Sequence, residues 1–309
     1  MFSLAHTAKL SPRMRRICAA CTAAFCAAAL AACGGDKGPS KPVAPQPKNV
    51  SLPKENPKDF QKRKKASTPA AEVHNRWMPV KPGVQTVREG YVNVGHRRLT
   101  HRLVYTVTSV TKKIDGVNAT IATDQDFNGG ELSEQSLDYL AEDKDGNVHY
   151  LGSYTEVYEG GQFVNATDGW LAGVNGSKAG LLMRAKPKVD DAYYESKIAG
   201  SNEQTSPSQV VKTGASKCVP FKCYKDVVII QEGGSGSEEW KYYAPGVGGI
   251  LTEPRYSGGE QETEKLVNAT QLSKKALDEI SREVLKVDRH APQVFPSVFA
   301  NAARAKLGT

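Results

Sequence analysis

The chain of 309 residues carries a formal net charge of +8, with 39% hydrophobic and 7% aromatic residues and six cysteines. That length holds one large domain or two small ones, and the composition excludes a collagen, a coiled coil, a polytopic membrane protein and a chain disordered throughout. The charge is unevenly placed. Residues 73–309 hold 28 basic and 29 acidic residues, a net of −1, so the excess belongs to the N-terminal segments. The body's composition calls for no basic face, and no nucleic-acid partner is expected.

Residues 1–32 read as an export signal. Arg13, Arg15 and Arg16 precede a mostly alanine apolar run, Ile17 to Ala32. The run is shorter than the roughly 20 residues a spanning helix needs and has the shape of a secretory signal peptide. It closes with Leu30-Ala31-Ala32-Cys33-Gly34, which resembles the lipobox of bacterial lipoproteins. The resemblance implies cleavage after Ala32 and lipidation at Cys33, which becomes an acylated (palmitate-type) N-terminus. It also implies membrane attachment in the cell envelope, because two or three acyl chains hold firmly where one binds reversibly. Gly34 in place of Asp favours the outer membrane under enterobacterial sorting. An ordinary signal peptide cleaved elsewhere, or an N-terminal helix, is the alternative.

Residues 33–72 follow as an acylated cysteine and a tether. Seven of the seventeen prolines lie there, among Lys, Gly, Ser, Asn and Ala. Such a composition stays extended, spanning on the order of 35 Å as a coil and more with proline stiffening. The basic cluster Gln61-Lys62-Arg63-Lys64-Lys65 suits contact with anionic lipid or wall polymer, or is merely solvated.

Residues 73–309 read as a single β-rich domain. Short runs of β-branched and aromatic residues recur over 84–256, separated by turn signals at Asp145-Gly146, Gly160-Gly161, Gly233-Gly234 and Pro245-Gly246. Leu99, His101, Leu103, Tyr105 and Val107 fall on one face of an alternating strand. One stretch has helical spacing: Leu272, Ala276, Leu277, Ile280, Val284 and Leu285 form an apolar stripe, predicting an amphipathic helix over about 271–288. The expected class is therefore α+β, mainly β: a curved, half-barrel-like antiparallel sheet on which the C-terminal helix docks.

Three segments carry a second resemblance. They are Asn75-Arg76-Trp77-Met78-Pro79-Val80-Lys81-Pro82-Gly83, the run from Leu137 to Gly152, and Tyr242-Tyr243-Ala244-Pro245-Gly246-Val247-Gly248. They are similar to motifs of a family of uncharacterised bacterial exported proteins, over roughly residues 73–255. The resemblance implies that these turns are structural constants of one fold; it transfers no activity.

Chemical motifs are sparse. Cys218 and Cys223 remain after the signal and lipobox cysteines are set aside, and an even pair in an oxidising compartment predicts a disulfide. Four intervening residues differ from the two of redox-active motifs. His96 and His101 fall on opposite faces of a strand and give no zinc pair. Asp124, Asp126 and Asn128 occupy positions 1, 3 and 5 of a calcium-loop pattern with Gly129 at 6, but position 12 is Gln135, so an exposed acidic hairpin competes with a calcium site. Ser109-Val110-Thr111-Lys112 and Lys212-Thr213-Gly214 match fragments of penicillin-binding enzymes without the middle motif. No catalytic residue, cofactor or metal is assigned.

Three functions remain in play. The first is a non-catalytic envelope module binding a lipid, apolar ligand or partner. The second is an envelope hydrolase using Asp124, Asp126, Asp138 or Asp143. The third is a structural or assembly subunit. An apolar cavity separates the first from the others.

Overall fold

A computed structural model describes residues 75–94, 97–199, 205–233, 238–255 and 261–308. The expected signal peptide, Cys33, the whole of the tether and His96 lie outside these residues.

Fourteen strands follow one another: β1 (Val84–Val94), β2 (Arg97–Ile114), β3 (Val117–Asn128), β4 (Glu131–Glu142), β5 (Val148–Glu159), β6 (Gln162–Leu171), β7 (Lys178–Met183), β8 (Ala192–Lys197), β9 (Thr205–Cys218), β10 (Cys223–Glu232), β11 (Glu239–Ala244), β12 (Gly248–Pro254), β13 (Gln261–Gln271) and β14 (Lys306–Leu307). Between the last two come α1 (Lys274–Val294) and the single turn α2 (Pro296–Phe299). The class is as the alternation implies: mainly β, antiparallel, with a C-terminal helix. The curvature runs further, to closure. β1 pairs with β13 on one edge and β2 on the other, so twelve strands form a ring from which only β6 and β14 stand aside. β5 shares one edge, pairing β7 through Val148–Tyr150 and β6 through Gly152–Glu159.

Local residue choice permits the closure. At Gly90 a Cβ would sit 1.7 Å from the Thr263 carbonyl oxygen, so β1 and β13 approach as only glycine allows. Bulges at Val87/Arg88, between Val107 and Thr111 and at Tyr242/Tyr243 bend the sheet. Gly129 and Gly130, both at positive φ, make the β3–β4 turn. The Cys218–Cys223 disulfide ties the end of the β9–β10 hairpin, whose Phe221 amide donates to the Leu266 carbonyl.

Helix α1 starts at Lys274 because the Ser273 hydroxyl caps it, accepting from the Ala276 amide. It runs past the expected end, through Pro292, because Val287, Asp288 and Ala291 continue its buried stripe. Val284, Val287 and Ala291 join the main apolar cluster with Val110, Ile121, Leu137, Tyr139, Tyr154 and Phe299. Within this contact Lys112 pairs with Asp288 at 2.7 Å, both almost fully buried, and the Tyr139 hydroxyl donates to the same oxygen. The lysine of the Ser-x-x-Lys fragment is thus spent on helix docking. Alternate residues Val227, Ile229, Tyr242 and Ala244 build a second apolar cluster from β10 and β11 with β12 and β13.

Candidate functional site: a carboxylate-lined lumen

Strand alternation that turns Leu137 and Tyr139 toward the helix turns Glu134, Ser136 and Asp138 the other way, into the ring. The same parity brings in Asp124, Asp126 and Asn128 from β3, Glu239 and Lys241 from β11, and Glu262 and Glu264 from β13. Arg88 of β1, His101 of β2, Asp168 of β6 and Glu195 of β8 complete the charged lining. Nine carboxylates and three basic side chains face one cavity of about 90 Å³. That is well below the roughly 300 Å³ at which small-molecule pockets begin, and its lining is charged rather than apolar.

His101 is the centre of the densest part. Its Nε2 lies 3.1 Å from Glu264 Oε1, 3.4 Å from Glu262 Oε1 and 3.5 Å from Asp126 Oδ1. Its Nδ1 meets Asn128 Oδ1 at 2.8 Å. Asn128 Nδ2 donates to the Ser133 hydroxyl, which donates to the Asp126 carbonyl, so the amide is oriented and its oxygen is left to accept from the ring. Burial opposes charge on the imidazole, but hydrogen bonds to Glu262 and Glu264 win and push it up to about 12. Glu264 is held from behind, since Arg88 reaches Oε2 at 3.0 Å and the Thr252 hydroxyl donates to it. With burial opposed by Arg88 and His101, Glu264 stays well below the ordinary carboxylate range, whereas burial and the Glu264 charge push Glu262 up to about 7.

Two further groupings share the lumen. Asp124 and Asp138 stand together, with the Tyr150 hydroxyl donating to Asp138 at 2.6 Å. Burial and then the Asp138 charge hold Asp124 well above its usual range, and its Oδ1 has no hydrogen-bond partner among the described residues. Across the ring, Lys241 pairs with Glu232 at 2.8 Å, while the Ser208 hydroxyl donates to Glu195. Glu195 and Glu239 are both pushed up to about 8, chiefly by burial.

The sequence expectations sort clearly. Asp124, Asp126 and Asn128 lie on a strand rather than in a loop, because the Gly129-Gly130 turn comes after them. A strand sets alternate residues in a row instead of wrapping them round an ion, so the calcium-loop geometry does not form. Nor are they an exposed hairpin: Asp124 is 6% exposed. Of the four proposed hydrolytic carboxylates, Asp124, Asp126 and Asp138 share the lumen, whereas Asp143 sits in the β4–β5 turn. Arg88, Lys241, Glu195, Glu239, Glu262 and Glu264 escaped notice. The signal was present in Glu262-Thr263-Glu264, where carboxylates alternate as strand residues do, but β13 lies beyond the stretch that reads as β from its apolar residues.

Comparison with protein-family models gives no match, and comparison with curated proteins gives none. Among solved structures the chain is similar to a Bacteroides fragilis protein described as exported with a YmcC-like fold, at 14% identity and a TM-score of 0.36, covering 63% of this chain and 99% of that one. It is also similar to a protein from Parabacteroides distasonis described as a lipoprotein, at 14% identity and a TM-score of 0.37, covering 64% and 100%.

Proposed function

We propose that the chain is a lipid-anchored, non-catalytic protein of the bacterial envelope, with the outer membrane favoured, and that its barrel binds a small cation in the lumen. Cys33 carries the lipid, residues 33–72 hold the domain off the bilayer, and residues 73–309 form the binding module. The single observation behind the binding role is the imbalance of nine carboxylates against three basic groups around one cavity. Buried negative charge in such excess is costly unless protons or a cation neutralise it. The same lining supports a polar occupant over an acyl chain. A hydrolytic reading has its acid pair in Asp124 and Asp138 but no room for an envelope polymer.

Two measurements test this reading. Mass spectrometry of the N-terminal peptide from native membranes is expected to show a diacylglyceryl thioether at Cys33; an unmodified thiol or another mature start refutes the anchor. Isothermal calorimetry of the full chain in detergent with Mg²⁺, Ca²⁺, Mn²⁺ and Zn²⁺ is expected to show saturable binding of at least one. Failure of all four refutes the binding role.

A further inference from the structure

We propose that His101, Asp126, Glu262 and Glu264 form a site for one divalent transition-metal ion of the zinc or cobalt class, within the barrel lumen. The inference rests on the cation-binding reading above and narrows it to an ion and four ligands.

The geometry is the first argument. Three carboxylate oxygens surround one imidazole nitrogen at 3.1, 3.4 and 3.5 Å. In a tetrahedral site with bonds near 2.1 Å, neighbouring donor atoms stand about 3.4 Å apart. The donors of His101, Asp126 and Glu264 all lie within 4.8 Å of one another, so small side-chain rotations bring them onto one ion. They come from β2, β3 and β13, elements fixed by the ring's own hydrogen bonds.

The surrounding groups are the second argument. A metal-bound histidine generally donates its other ring N–H to a carbonyl or carboxylate, which sets the tautomer and aims the ligating nitrogen. Here Asn128 Oδ1 accepts from Nδ1 at 2.8 Å, with Asn128 itself fixed by Ser133. Arg88 and Thr252 hold Glu264 by Oε2, leaving Oε1 directed at Nε2. These outer contacts leave the donor atoms to one another: the Nε2 proton that joins His101 to Glu264 and Glu262 is the one an entering ion displaces and releases to solvent.

The third observation is independent of the cluster. Asp124, 6% exposed, lines the same cavity with its Oδ1 lacking any hydrogen-bond partner among the described residues. A buried carboxylate oxygen without a donor is costly, and a metal-bound water supplies one. The donor set also indicates the class. One imidazole with carboxylates suits zinc, cobalt, manganese or iron(II) better than calcium, which takes six to eight oxygens.

The test uses the full chain in detergent, stripped with a chelator and titrated with Co²⁺ while its visible absorption is recorded. The expected result is one equivalent bound, with ligand-field bands of a four- or five-coordinate site, displaced by one equivalent of Zn²⁺. Glu264→Gln and Glu262→Gln are expected to weaken Co²⁺ binding on the order of 10²-fold, and His101→Gln to change the band positions. Glu283→Gln, on the exposed face of α1 and outside the lumen, is the control and leaves binding intact. Glu262 is partly exposed, so its variant carries the test if His101→Gln does not fold, as judged by circular dichroism. Binding of a divalent ion that none of the ligand variants alters overturns this site while sparing the cation role. Absence of saturable binding by every divalent ion tried overturns both.

Discussion

Two polar regions of the barrel use the same residue types to opposite ends. In the β4–β5 turn, Asp143 accepts from the amides of Asp145 and Asn147, from Asn147 Nδ2 and from His149 Nε2, all at 2.8–2.9 Å. Burial would raise it, but those donors hold it at about 2. In the lumen, Glu195 and Glu239 are pushed up to about 8 because burial outweighs the few donors that reach them. A carboxylate ringed by N–H groups fastens a fold. Carboxylates facing each other leave it short of positive charge, which is the condition of a binding site.

The fastening also explains the segments that resemble exported proteins. Asn75 Nδ2 donates to the Gly146 carbonyl, and Asn75 Oδ1 accepts from the amides of Trp77 and Met78. The Asn75 amide donates to Glu142, and the Gly246 amide donates to the Arg76 carbonyl. The Asn75–Gly83 segment, the β4–β5 turn and the β11–β12 turn therefore meet at one corner of the barrel.

The contrast is open to attack, and the largest effect is expected at the fastening. Asp143→Ala strands four donors and is expected to lower unfolding stability by about 3 kcal/mol in urea titration; a loss below about 1 kcal/mol erases the distinction. Asn75→Ala frees the Gly146 carbonyl and two amides, for about 2 kcal/mol by the same assay. A third check is pH. Asp143 has a folded pKa depressed to about 2, so its contribution is present above the unfolded value near 4 and is lost as pH falls through about 2. Glu195 and Glu239 have raised values, so their neutral forms favour the fold below about 4.5, and stability declines as pH rises through about 8. Thermal unfolding of metal-free protein is therefore expected to peak near pH 4–5 as far as these groups decide it; a peak above pH 8 contradicts the assignment. The smallest effect is that of Glu195→Gln. It mimics the protonated carboxyl in both states and is expected to change stability by less than about 1 kcal/mol at pH 4, with a gain over the parent that grows as pH rises above about 4.5 and levels off near 8.

Much of the fold was legible in the sequence because its signals are local. Alternation from Leu99 to Val107 identified β2, with His101 and Val107 on the same face, 2% and 0% exposed. The Asp145-Gly146 and Pro245-Gly246 turns stand where read. Ring closure was not legible, since nothing in Val84–Val94 states that it will pair with Gln261–Gln271. The lumen was half legible. Asp124, Asp126 and Asp138 were noticed as carboxylates, but an acidic strand runs against β-propensity and reads as a loop. Their company, Arg88, Glu262 and Glu264, is assembled only by the ring.

The seam where β1 meets β13 has a consequence for how such a chain comes into being. Val84 pairs with Gln271, so the first strand to appear must wait for almost the last. A polypeptide delivered N-terminus first, from a ribosome or through a translocation pore, holds an unsealed edge until its C-terminal fifth has arrived. Over that interval the future interior is open to water and to whatever ions the compartment offers. Truncation before residue 261 would remove β13 and leave a ribbon with two sticky borders in place of a vessel.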